Sequence, residues 1–280
     1  MSGVSEEQRV VEEIEFLARS PNRVRLLEAI REAGTIEKQT LQNQFDMVRT
    51  TLVRNLETLE ERGWVQASSQ GTYTLTCAGE VVAESFSEVM DTVRITKRLQ
   101  PFLKWLPSDE FDLDLRLLAD AEITCSTTND PYAPVQEHVK KIKQTERARI
   151  FLSVMGQQPL EEVRTRILNG DAIFESVVEP GIEETINANA RYRDLFEEQI
   201  ASGGHNVFVY EGTIPYYLGI LDDTVQIGAE DDEGVPRALL ETDSADVREW
   251  AEQTYANYQQ EARPLAVLGE QSDEGDSGRD

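Results

Sequence analysis

Within residues 48–62, VRTTLVRNLETLEER, two arginines and two threonines are spaced so that a helix would gather them on one side. With Leu52 at the centre of the buried face, Thr50, Arg54 and Glu57 fall near the opposite side. Thr51 flanks them, and Arg49 opens the helix. A guanidinium can fork onto a guanine edge or hold a phosphate, and a threonine can meet a phosphate or a thymine methyl. These four are therefore candidate DNA-contacting residues. Lys38, Gln39 and Gln42, just before, are candidate phosphate contacts; Ser69, Gln70 and Tyr73, just after, are candidates for the backbone or minor groove. Taken alone, the same spacing also describes an amphipathic helix whose Arg and Thr merely face water. Glu57, Glu60 and Glu61 crowd the far end, so only the first turns are expected to approach phosphate.

Other chemistry has weaker support. His138-Val139-Lys140 begins like the H-x-K-x4-D phosphodiesterase motif, but Thr145 stands where the Asp belongs and no second copy exists. Cys77, Cys125, His138 and His205 lack the short paired spacings of a zinc site. Gly203-Gly204 ends a helix and precedes no Lys-Ser/Thr, so it is no phosphate loop. Asp222-Asp223 and Asp231-Asp232-Glu233-Gly234 read as acidic turns before they read as carboxylates for chemistry. Tyr210, Tyr216, Tyr217 and Trp250 are aromatic enough to line a small-molecule pocket; ordinary core and sheet positions are the simpler reading. No motif calls for a cofactor or metal, and no nucleophile–base cluster emerges, so the chain does not read as an enzyme.

The candidate DNA contacts need a frame. Residues 7–19 read as a helix with Val10, Val11, Ile14 and Leu17 on its apolar stripe. Ser20 caps, and Pro21 begins, a second helix carrying Val24, Leu27 and Ile30 and closed by Gly34. A short helix at 37–45 has Leu41 and Phe45 as its apolar pair. After a break at Asp46-Met47 comes helix 48–62, with Val48, Leu52, Leu56 and Leu59 recurring and Gly63 as its C-terminal cap. Trp64-Val65 and 73–76 then pair as a hairpin across 68–71. A short helix bracing a second, followed by a hairpin, is the order of a winged helix-turn-helix, here residues 1–77. Residues 78–105 read as a long helix that links domains or pairs subunits, with a break or kink at Pro101.

Residues 106–268 alternate. Strands are expected at 123–126, 149–154, 172–178, 206–210, 216–221, 224–228 and 238–242, and helices at 135–144, 160–169, 182–202 and 244–260. Such alternation predicts a mixed α/β layer domain. The fold class is thus α+β or α/β in two domains, followed by a polar acidic tail at 269–280 expected to be disordered.

Charge sorts these parts. The 280 residues hold 27 Lys+Arg and 53 Asp+Glu, a net charge of −26, which repels nucleic acid in general and argues against a protein that coats it. Six lysines beside 21 arginines in so acidic a chain suit the solvated surface of extreme halophiles; a merely acidic protein is the plainer alternative. Residues 106–280 hold 14 bases and 37 acids, whereas the segment 20–62 holds seven of each. The frame of the candidate contacts has escaped the acidic bias, as a surface that must approach phosphate would. No apolar run is long enough to span a membrane, no secretory signal opens the chain, and two cysteines make no disulfide scaffold. A cytoplasmic protein is expected.

FLARSPNRVRLLEAI, RTTLVRNLETLEERGWV and the block from VFVYEGTIPYYLGILDD to VREWAEQTYANY carry a resemblance. The chain resembles archaeal winged helix-turn-helix transcriptional regulators, abundant in haloarchaea, whose C-terminal domain is shared with a methanogenesis regulatory protein. One departure is Val48, where many such helices place a Ser or Thr cap; Asp46 is the substitute candidate. The resemblance implies a sequence-specific DNA-binding regulator, with double-stranded DNA as partner, a homodimer, and a C-terminal domain that regulates or senses a small-molecule effector. The alternatives are a protein-interaction adaptor whose winged helix contacts transcription machinery, and an enzyme in residues 106–268.

Overall fold

In the computed structural model, which describes residues 5–45, 47–107, 111–152 and 155–266, Ser5 accepts from the Gln8 amide and starts α1 (Glu6–Ala18). Pro21 then opens α2 (Pro21–Ala33), which Gly34 ends at φ 66°. β1 (Ile36–Glu37) precedes the short α3 (Lys38–Gln44), and α4 (Arg49–Glu61) follows the break. β2 (Val65–Ala67) and β3 (Thr72–Leu75) form the hairpin, and α5 (Cys77–Leu103) is the long helix. The chain divides into two compact units, Met1–Arg94 and Ile95–Asp280, with the boundary inside α5.

In the first unit, Leu26, Leu27 and Ile30 of α2 meet Leu41 of α3 and Leu52, Leu56 and Leu59 of α4 in one apolar core. The three strands order as β1-β3-β2, with Ile36 opposite Tyr73 and Val65 opposite Leu75. β1 was not expected: two residues are too short to show alternation. Most of the stripe on α1 stays in the open, with Leu17 buried but Val10, Val11 and Ile14 each more than half exposed. Val81, Val89, Met90 and Val93 of α5 are exposed too.

The end of α4 and the start of α5 meet backbone to backbone. The Thr76 hydroxyl donates to the Gly63 carbonyl at 2.6 Å, the Thr76 amide to the Trp64 carbonyl at 3.0 Å, and the Gly79 amide to the Thr76 hydroxyl at 3.0 Å. Gly79 is required here: a Cβ would stand 1.9 Å from the Trp64 carbonyl oxygen.

The second unit is built on an eight-stranded sheet. Its strands are β4 (Glu122–Cys125), β5 (Arg147–Leu152), β6 (Ile173–Val178), β7 (His205–Val209), β8 (Tyr217–Leu221), β9 (Thr224–Glu230), β10 (Pro236–Thr242) and β11 (Arg263–Pro264). They lie in the order β11-β7-β6-β5-β8-β9-β10-β4, parallel across β5, β6 and β7 and antiparallel elsewhere. α6 (Ala133–Ile142) and α7 (Gln157–Leu168) cover one face through Ile142, Val163 and Ile167, packed on Ala148, Ile150 and Phe174. α8 (Pro180–Ala188) and α9 (Ala190–Ala201) cover the same face further along through Ile186 and Phe196. On the other face α10 (Ala245–Glu261) brings Val247, Ala251 and Tyr255 against Phe151, Val177, Ile220 and Val225, joined there by Leu99 and Phe102 of α5. The result is a mixed α/β domain with helices on both faces.

Two expectations need correction. The helix read over 182–202 is α8 and α9, divided at Asn189, which is extended (φ −113°, ψ 108°) and whose side chain accepts from the Arg191 amide. An Asn side chain that caps a new helix wins over continuation of the old one. Pro101 does not break the long helix but sits inside its last turn. A two-residue β11 pairing with β7 and a 3-10 turn at Leu115–Leu118 were not anticipated. The end of the strand read over 149–154 and the acidic tail 269–280 lie outside the described residues. Among the described residues, no helix is long and apolar enough to cross a membrane.

Candidate nucleic-acid interface

Leu52, Asn55, Leu56 and Leu59 form the buried side of α4, at the i, i+3, i+4, i+7 spacing that one helix face requires. Arg49, Thr50, Thr51, Arg54 and Glu57 are all exposed. On α3, Gln39 is exposed while Lys38 and Gln42 are half-buried; the Gln39 amide is engaged with Asn43 at 3.1 Å. In the hairpin turn Ser69 and Gln70 are exposed at the tip. The Ser68 hydroxyl shapes that turn, accepting from the Gln70 and Thr72 amides, and Gly71 supplies the positive φ of 79°. Tyr73 differs from its wing neighbours: it is half-buried on the first unit's core, so its ring is committed to packing. Burial, then Glu60 and Glu57, raise its hydroxyl above the usual tyrosine range.

The ends of α4 differ in charge. At its start, Val48 occupies the cap position in an extended conformation and offers no side-chain cap; Asp46 lies outside the described residues. First-turn amides without a side-chain cap, at the positive end of the helix dipole, suit an anion. At its far end, Glu57, Glu60 and Glu61 are exposed, and the Glu60 carboxylate accepts from the Ala67 amide at 3.3 Å.

Arg54 has basic company that was not anticipated. The Arg23 guanidinium of α2 lies 3.8 Å from the centre of the Phe16 ring and donates to the Phe16 carbonyl; Arg62 lies 3.5 Å from the same ring and pairs with Glu13 at 2.8 Å. Burial lowers the basicity of Arg23, and the neighbouring charges of Arg62 and Arg54 add to this. The charges of Arg62 and Arg54 thus oppose that of Arg23, and of these Arg62 is offset by Glu13. The missed signal lay in FLARSPNR, which put Phe16 and Arg23 seven residues apart across a helix turn.

Two family models match in succession. Residues 11–98 match the HVO_A0261 N-terminal domain, and residues 131–261 match the middle domain of the methanogenesis regulatory protein FilR1. Over these two stretches the chain is similar to the domains of archaeal winged helix-turn-helix regulators. The FilR1-type match covers α6 through α10, the body of the second unit, and the HVO_A0261-type match covers the candidate interface described above. No curated protein matches the chain. Solved structures that align with it include TrmBL2, an archaeal chromatin protein (12% identity, TM-score 0.39, 92% of this chain and 100% of that one). Others are the phospholipase D family member Nuc from Salmonella typhimurium (11%, 0.40, 52% and 98%) and MarR from E. coli (21%, 0.30, 35% and 71%). TM-scores this low leave the fold to be argued from the chain itself.

In the FilR1-type domain the remaining candidates separate. Tyr216 is buried and Trp250 half-buried in the core, their rings stacked 6.4 Å apart, and Tyr210 packs on Tyr258. Asp222 is the turn residue expected, at φ 53°, its carboxylate accepting from the Glu146 and Arg147 amides. Asp231 likewise accepts from the Glu233 and Val235 amides. Cys77 is exposed at the start of α5, and Cys125 is half-buried on β4. Lys140 faces solvent and pairs with Glu137, whereas His138 and Tyr217 turn into a cavity.

Proposed function

We propose that the chain is a sequence-specific DNA-binding transcriptional regulator. Its HVO_A0261-type domain reads duplex DNA, and its FilR1-type domain senses a small molecule without catalysing a reaction. The observation that carries the DNA reading is the exposed Arg49-Thr50-Thr51-Arg54 face on the first turns of α4, backed by Arg23 and set in a three-helix, three-stranded winged frame. Arg49 and Thr50 enter the major groove first, Arg54 and Arg23 hold base or phosphate, and the polar wing tip touches backbone. The carboxylates at the far end of α4 keep that end off the duplex. The exposed apolar residues of α1 and α5 suit pairing of two copies, which doubles the number of bases read. The acidic surface suits work in concentrated potassium chloride.

The test is selection of binding duplexes from a random library by the full chain, followed by anisotropy with variants. Arg54→Ala and Thr50→Ala should each weaken the selected site by roughly 5- to 150-fold, the worth of one good base contact, with melting unchanged. Leu56→Ala should instead cost about 2–5 kcal/mol of stability through a core cavity. Sedimentation should give a dimer on its site. If no duplex is enriched, the adaptor reading replaces this one.

A further inference from the structure

A cavity of about 350 Å³ lies in the second unit between α6, α7 and the sheet. That is within the size range of small-ligand sites. Its walls are apolar, formed chiefly by Ile142, Ile150, Leu160, Val163 and Leu239. Among the described residues no lysine or arginine lines it, and Glu230 does, so an anionic ligand would find no counter-charge there.

Polar side chains also line this space; besides Glu230, Tyr132, Gln157 and Gln158, it is lined by Ser176, His205, His138 and Tyr217, whose mutual hydrogen bonds decide what it can hold. Ser176 and His205 satisfy each other: Ser176 Oγ lies 2.8 Å from His205 Nε2, and His205 Nδ1 is 3.0 Å from Gln199 Oε1. With Gln199 accepting from Nδ1–H, the serine hydroxyl donates to Nε2, so the serine's proton and both ring nitrogens of His205 are taken. His138 is different. The Gln226 amide nitrogen donates to a Glu241 carboxylate oxygen at 2.7 Å, which fixes its orientation, because a carboxylate only accepts. Gln226 Oε1 must then accept from His138 Nδ1, 2.8 Å away, so Nδ1 carries the proton. Burial lowers the basicity of His138 and keeps it neutral, so Nε2 carries a bare lone pair. Nε2 has no protein partner among the described residues.

Tyr217 closes the arrangement. Its ring meets the His138 ring edge-on at 5.0 Å, and its hydroxyl is 3.4 Å from Nδ1. The ring lies along the sheet only because Gly219 and Gly228 lack side chains: a Cβ on either would come within 2.3 Å of the Tyr217 hydroxyl or 2.9 Å of its Cβ, respectively. A largely apolar cavity floored by an aromatic ring, with an oriented imidazole acceptor beside that ring, is specific in chemistry.

We propose that this cavity binds a small, uncharged, largely apolar molecule that carries one hydroxyl or N–H donor, seated with the donor on His138 Nε2. The proposal supplies the ligand class for the sensing role read above and rests on that reading for its purpose. The binding itself is measured without DNA. The test is calorimetry of the full chain in molar potassium chloride with indole, with benzothiophene, a near-isostere lacking the donor, and with indole-3-carboxylate. Indole should bind about ten-fold more tightly than benzothiophene, the worth of one neutral hydrogen bond, and the carboxylate should bind weakest. His138→Phe should bind both uncharged probes alike, a loss of preference that mere loosening of the fold would not single out. Val135→Trp, on the cavity lining, should weaken both probes together. Arg54→Ala should bind indole as the wild-type chain does, so failure on DNA leaves this result standing. Equal affinity of the wild-type chain for indole and benzothiophene, no binding of indole at its solubility limit, or unchanged binding by Val135→Trp would overturn the proposal.

Discussion

His205 should make the stability of the second unit depend on pH by an amount that can be worked out in advance. The ring is buried beside Phe196 and Phe174, and burial lowers its pKa from 6.5 to about 4. The unfolded chain takes up a proton near pH 6.5, but the folded chain does not until near pH 4. Because the folded pKa lies below the unfolded one, the stability is fully present above pH 6.5 and is lost as pH falls toward 4. The loss amounts to about 2 kcal/mol between pH 7.5 and pH 5, rising to about 3 kcal/mol by pH 4. The many carboxylates of the chain titrate over the same range, so the absolute curve is not diagnostic. The difference between wild type and His205→Gln is. The variant loses the bonds to Ser176 and Gln199, a cost that does not depend on pH, and it loses the titration. Denaturant unfolding at a series of pH values, in molar potassium chloride, should show the wild type's advantage shrinking by about 2 kcal/mol from pH 7.5 to pH 5. A constant advantage across that window would mean that the ring is solvated or already charged in the fold, and the burial argument would fail.

Salt and one glycine give two more tests. Affinity for the selected duplex should stay flat or rise from dilute to molar potassium chloride, because screening shrinks from ~30 Å to ~3 Å and silences the acids of residues 106–280 while the balanced segment 20–62 releases few counterions. A steep monotonic fall, measured by anisotropy with circular dichroism confirming folded protein, would show that Lys/Arg–phosphate contacts dominate. Gly79→Ala places a Cβ 1.9 Å from the Trp64 carbonyl oxygen and 2.8 Å from its carbon, both backbone atoms that cannot swing aside. It should cost roughly 1–3 kcal/mol and lower the melting temperature of the first unit by ~4–8 °C per kcal/mol; unchanged melting would refute the close contact.

The two faces of α4 were legible because it is a single helix whose periodicity assigns them from Leu52, Leu56 and Leu59. A buried Asn55 on that core side was not foreseen, since helical spacing alone does not tell which polar residue can be buried. β1 went unseen because two residues carry no pattern, and the split at Asn189 was hidden by apolar spacing that continued across it. The cavity was out of reach for a different reason. Its side chains come from two helices and several strands, and only strand register brings Tyr217 beside Gly228 and Gly219 beside Gln226. His138 drew notice as the head of an incomplete phosphodiesterase motif and Tyr217 as one aromatic among four; their meeting is a property of the sheet.

The joint at Gly63, Trp64, Thr76 and Gly79 makes the first unit behave as a crank. A hinge needs backbone free to turn, and here the chain just past α4 and the start of α5 are tied through two hydrogen bonds from Thr76 and a contact with no room for a methyl group, while the Gly79 amide holds the Thr76 hydroxyl in place. Rotation or sliding of α5 therefore cannot be absorbed at its root; it is delivered to α4 and to the wing together. The same helix ends with Leu99 and Phe102 embedded in the core of the FilR1-type domain.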